Sequence, residues 1–69
     1  MTNYAVIYEC ADDGSWSARA ADLPVHSAGA TRADVEGSIR EAIVLYLDHL
    51  RSTGQEVPAP RVEVGTVAA

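Results

Sequence analysis

With 69 residues and a formal net charge of −5, the chain has room for one domain and excludes the basic surface that neutralising phosphates requires. Nearly half of it is apolar, at 48%, but many of those residues are alanines and Phe is absent, so the core is thin. A chain this short buries only about 60% of the surface its unfolded form exposes, and self-association is the expected remedy.

Cys10 is the only cysteine, which rules out an intrachain disulfide and fits a reducing cytoplasm. No apolar run approaches the roughly 20 residues of a membrane span, and the N-terminus has no basic region followed by a hydrophobic stretch. Cytoplasmic localisation without a membrane partner is expected. The basic residues Arg19, Arg32, Arg40, Arg51 and Arg61 are scattered, so direct nucleic-acid binding is not expected and a basic protein partner suits the charge better. A zinc site would have to be assembled from His26, His49 and carboxylates, with no recognisable ligand spacing. No metal or other cofactor is expected.

In chain order, Tyr4 to Cys10 is rich in β-formers, and Ala11-Asp12-Asp13-Gly14-Ser15 carries the Asp-Gly signal of a hairpin turn before a second strand from Trp16. In that strand Trp16, Ala18 and Ala20 share one face, and Ser17 and Arg19 the other. The first strand is undecided: either Tyr4, Val6 and Tyr8 or Ala5 and Ile7 point inward. Asp22-Leu23-Pro24 interrupts the second strand. Val25 to Ala28 can form a short third one, at an edge because Pro24 cannot donate to a ladder.

Thr31 is a helix N-cap, with Asp34 three positions on as a shortened capping box and Asp34 and Glu36 in the positive first turn. Val35, Ile39, Ala42, Ile43, Tyr46 and Leu50 then recur at helical spacing as one buried stripe. Val44, Leu45 and Leu47 widen it, either as a broad core face or as a subunit contact. Gly54 suits the left-handed cap that ends a helix, giving a length near 30 Å at about 1.5 Å per residue. Gly37 costs about 1 kcal/mol relative to Ala inside a helix, and reflects either a close backbone approach or tolerance at an exposed site. Val57-Pro58-Ala59-Pro60 is a stiff connector, and Arg61 to Val67 alternates with period two as a last strand, Val62 and Val64 inward. The expected architecture is α+β: a two-layer ββ(β)αβ module, one domain over residues 1–69, with the long helix across one face of an antiparallel sheet.

No catalytic set stands out. Glu9, Asp12 and Asp13 form the only early carboxylate cluster, and Asp12 and Asp13 lie in a tight turn where Asp is favoured for local hydrogen bonding. His26 beside Ser27 lacks an orienting carboxylate, and Asp48 and His49 are helix neighbours that point in different directions. Cys10 reads as a small packing residue, Trp16 as a core anchor. The expectation is a protein that is not an enzyme. Its candidate partner-binding residues are the loop Pro24, Val25, His26 and Ser27. Its candidate oligomer contact is the terminal strand edge, Arg61, Val62, Glu63 and Val64.

The order and spacing of Tyr4, Glu9, Asp13-Gly14, Trp16, Asp22-Leu23-Pro24, Ser27, Gly29, Thr31, Ile39, Ala42-Ile43, Tyr46-Leu47, Gly54 and Pro58 resemble the HicB family of antitoxins from type II toxin-antitoxin systems, over about residues 4 to 60. Val25 and His26 stand where members usually have Gly and often Cys. The resemblance implies a degenerate ribonuclease-H-like fold, no retained catalysis, self-association as a dimer or tetramer, and the masking of a small basic toxin that cleaves mRNA. The alternative is an orphan oligomeric HicB-like domain with a structural or ligand-binding role and no toxin. The ribbon-helix-helix or helix-turn-helix segment that family antitoxins commonly carry is not found in these residues, so operon autoregulation by a separate C-terminal DNA-binding domain is not expected.

Overall fold

A computed structural model describes residues 2–69. The elements run β1 (Val6–Cys10), β2 (Trp16–Ala20), β3 (His26–Gly29) and α1 (Arg32–Ser52), an α+β arrangement in which one antiparallel sheet of order β1-β2-β3 carries a single helix.

Local chemistry sets the connections. Between β1 and β2 the Gly14 N–H returns to the Ala11 carbonyl at 2.9 Å, and the Ala11 N–H donates to the Ser15 carbonyl at 2.8 Å. Gly14 adopts φ +89, as a hairpin turn closed by a left-handed residue requires. Between β2 and β3 the chain reverses at Pro24, where the Val25 N–H donates to the Leu23 carbonyl at 2.8 Å and the Ala20 N–H to the Val25 carbonyl at 2.9 Å.

The helix begins and ends on caps of its own sequence. Thr31 Oγ1 accepts from the Asp34 N–H at 3.1 Å. At the other end the Gln55 N–H reaches the Leu50 carbonyl at 2.8 Å, the Gly54 N–H reaches the Arg51 carbonyl at 3.2 Å, and Gly54 has φ +74. This pair of bonds around a left-handed glycine is a Schellman motif.

Register decides which faces meet. Val6 pairs with Ala20, Tyr8 with Ala18 and Cys10 with Trp16; Ala18 also pairs with Ser27 and Trp16 with Gly29. The helix-facing side of β2 and β3 is therefore built largely of small residues. The helix lies on it, with Val35 and Ile39 fully buried against Ala18, and Leu47 and Leu50 packed with Ala20 and Leu23. Tyr4, Val6 and Tyr8 are the inward set of the first strand, since all three pack against these clusters. Trp16 is half-buried beside Ala18, Val35 and Ile39. Cys10, expected as a packing residue, is exposed instead, at the end of β1 where it lies opposite Trp16.

The broad apolar helix face divides. Leu47 is buried, while Val44 and Leu45 are 51% and 63% exposed, because the stripe that touches the sheet is centred on Val35, Ile39, Ile43, Leu47 and Leu50.

The expected last strand is corrected by the structure. Residues 61–67 pair with no strand among the described residues, and Val62 and Val64 are 42% and 67% exposed rather than inward. The cause is a competing set of bonds. The Tyr4 hydroxyl donates to the Pro58 carbonyl, and one oxygen of Asp22 accepts from the N–H groups of Arg61 and Val62 at 3.1 and 3.2 Å. The segment's first two donors are thereby taken by a side chain just beyond β2, one strand in from the free edge of β1.

Two glycines separate on geometry. A Cβ on Gly29 would lie 3.1 Å from Cγ2 of Val35, whereas a Cβ on Gly37 meets nothing within 4 Å. Gly37 is thus a tolerated glycine at an exposed position. Thermal unfolding is expected to move in opposite directions: Gly37→Ala gains about 1 kcal/mol from helix propensity, while Gly29→Ala crowds a fully buried β-branched side chain and loses about 1–3 kcal/mol. A higher melting temperature for Gly29→Ala would refute the close seat of the helix on β3.

Candidate functional site

The sequence-derived loop is divided by strand alternation. Pro24 and His26 are exposed, Ser27 is half-buried, and Val25 is turned inward, packing against both core clusters. His26 stands in register with Arg19, which is itself opposite Ile7, on the sheet face that no helix covers. Pro24 and His26 are therefore the outward members of the four, and they belong to different surfaces: a turn tip and an open sheet face.

A concave feature lies elsewhere. β1 carries large side chains where β2 and β3 carry small ones, so Tyr4, Val6 and Tyr8 rise beside the helix and leave an open groove of ≈ 820 Å³. Ile39, Ile43, Val44 and Leu47 form its opposite wall, and Glu36, Arg40 and Arg51 rim it. At one end the Arg32 guanidinium lies 4.2 Å from the centre of the Tyr8 ring and donates to Glu36 at 3.0 Å. This cation–π contact ties the start of the helix to β1. At the other end Tyr4 is tied to Pro58. Residue periodicity alone does not reveal this groove, because its walls come from two elements whose separation depends on residues in the other two strands.

Charge is unevenly spent. Arg32 and Arg40 both approach Glu36, at 3.0 and 3.7 Å, and Arg51 approaches Asp48 at 3.2 Å; all of these groups are substantially exposed, so each pair adds little stability. They do, however, occupy most of the chain's positive charge locally. Among the described residues no arginine pairs with Glu9, Asp12 or Asp13, which stand exposed around the hairpin. The Ser15 hydroxyl and the Ser15 N–H both donate to Asp13 Oδ1, at 2.6 and 2.9 Å. These bonds, the hydroxyl first, hold the Asp13 carboxyl below its ordinary value, because they favour the charged form. The turn role read from the sequence for Asp13 is thus visible as specific bonds.

Among the described residues no three or more His, Cys, Asp and Glu side chains gather in a way that could hold a metal ion, and no helix is long and apolar enough to cross a membrane. His26 and His49 lie on β3 and α1, both exposed. The expected oligomer contact Arg61, Val62, Glu63 and Val64 is exposed throughout, as an extended tail rather than as a sheet edge. No protein-family model, curated protein or solved structure matches the chain.

Two consequences can be measured. Because the folded-state pKa of Asp13 is depressed, its contribution to the hairpin is present above the ordinary carboxylate range and is lost as pH falls through the folded value. The Ser15 amide resonance should follow that titration, and Ser15→Ala, which removes the hydroxyl bond and keeps the N–H bond, should move the Asp13 midpoint upward; an unchanged midpoint would remove the hydroxyl bond as its main cause. For the tail, Asp22→Ala should speed amide exchange at Arg61 and Val62 while costing only about 1 kcal/mol of stability, as expected for exposed hydrogen bonds.

Proposed function

We propose that this chain is a HicB-like antitoxin-type module, a protein that binds protein, self-associates and masks a small basic RNA-acting toxin. The observation that carries the reading is the charge layout. Three of the arginines are engaged by acidic neighbours along the helix, while the hairpin presents Glu9, Asp12 and Asp13 to solvent with Asp13 held in its ionised form. An acidic protrusion on an acidic protein attracts a basic partner from a distance and speeds encounter. Steric occlusion of the toxin would then follow from contacts at the hairpin and at the outward loop residues Pro24 and His26. No step of catalysis by this chain is part of the proposal, and its place of action is the cytoplasm, where a toxin that cleaves mRNA works.

The orphan reading, an oligomeric HicB-like domain with a structural or ligand-binding role, is favoured by different features: the open groove between β1 and α1 and the uncovered valines of the tail. It shares self-association with the first reading and differs in having no toxin.

Co-expression with the adjacent open reading frame separates them. The antitoxin reading expects a small basic protein to co-purify and its toxicity to be suppressed. Glu9→Lys together with Asp12→Lys should slow association by about tenfold at low salt, with a smaller effect at high salt. A neighbour that is neither basic nor toxic, with no partner retained, would leave the orphan reading in its place.

A further inference from the structure

Two unsatisfied surfaces of the chain match each other but do not meet within one molecule. The first is the outer edge of β1. In the sheet order β1-β2-β3 both outer strands are edges, but they are guarded differently. β3 is four residues long, follows the Pro24 turn and ends at Gly29, and short strands near proline resist further pairing. β1, with sequence VIYEC, has neither proline nor lysine and a single charge at Glu9. Its free backbone groups run beside the groove whose wall includes Val44, left 51% exposed.

The second surface is the tail. Arg61 to Thr66 alternates as a strand does, with Val62 and Val64 on one side and Arg61, Glu63 and Gly65 on the other, yet among the described residues it has no ladder partner. Six residues at about 3.3 Å each match the five-residue length of β1. The chain's own tail is anchored by Asp22, which holds Arg61 and Val62 beyond the end of β2.

We infer that the tail of one copy adds to the free β1 edge of a second copy, with Val62 and Val64 seated over the groove against Val44 and Tyr8, and that the exchange is reciprocal. The geometry favours a second copy over an unrelated partner because both complementary surfaces lie on one chain, so a two-fold exchange satisfies both at once in a closed dimer. Tail, edge strand and groove wall together supply roughly 20 residues a side, the number a stable interface of standard size uses. Backbone pairing along β1 would supply affinity, and the valines on alternate positions would set register. The inference rests on the self-association part of the proposed function and specifies its surface; it does not depend on a toxin.

The test uses the full chain. Sedimentation across a concentration series should show a dimer. In samples that mix differently isotope-labelled chains, nuclear Overhauser effects should connect the Val62 and Val64 methyls of one chain with β1 amides of another. Val62→Lys combined with Val64→Lys leaves the folded core untouched, as both side chains are exposed, and should weaken dimerisation by about a hundredfold, as the loss of two buried valines implies. A dimer that survives this double variant, or interchain contacts that avoid β1, overturns the tail exchange while leaving self-association intact. Contacts from the tail to β1 within a single chain overturn it too. A monomer at every concentration overturns both the exchange and the self-association reading, whereas failure to capture a toxin bears on neither measurement.

Discussion

The close seat of the helix on a platform of small residues is the constraint from which the rest of the structure follows. Ala18, Ala20 and Gly29 on β2 and β3 let Val35, Ile39, Leu47 and Leu50 descend onto the sheet, and at Gly29 there is too little room even for a methyl group without moving Val35. Dispersion and burial both favour this approach, since each apolar helix residue gains more neighbours as the backbones near each other. In a chain with few large side chains, it is how a single helix and a three-stranded sheet make a core.

The same seat creates the molecule's concavity. Where β2 and β3 present small residues, β1 presents Tyr4, Val6 and Tyr8. The helix therefore lies toward the small side and is held to β1 mainly at its ends, by Arg32 on Tyr8 and through the connector by Tyr4 on Pro58. Between these two ties the groove stays open. Val44 is consequently neither core nor fully solvated, and the division of the wide apolar stripe into buried and exposed parts has a cause in strands far from it in sequence.

The candidate partner surfaces were legible in part. The hairpin acids and the Pro24 turn can be found from the sequence because their residue types have local preferences. That Val25 is unavailable to a partner while His26 is available follows from strand alternation once β3 is known to begin at His26. The groove had no such signal. Its existence depends on the size difference between Tyr8 and its cross-strand neighbour Ala18, and on which face of β1 is inward, a question that periodicity left evenly divided between Tyr4-Val6-Tyr8 and Ala5-Ile7.

Features settled over a few residues can be read from residue types alone: the hairpin closed by Gly14, the turn at Pro24, and a helix begun by Thr31 and ended by Gly54. In each case donor and acceptor lie within five positions of one another, so residue type and spacing are enough to point to the bond. The inward face of β1, the exposure of Val44 and Leu45, and the unpaired state of residues 61–67 among the described residues depend instead on contacts between elements far apart in sequence. The tail has the alternation of a strand, but alternation states a capacity to pair and says nothing about a partner. Asp22, some 40 residues away in sequence, takes the N–H groups of Arg61 and Val62, and that contact exists only once the end of the helix has been brought back beside the end of β2.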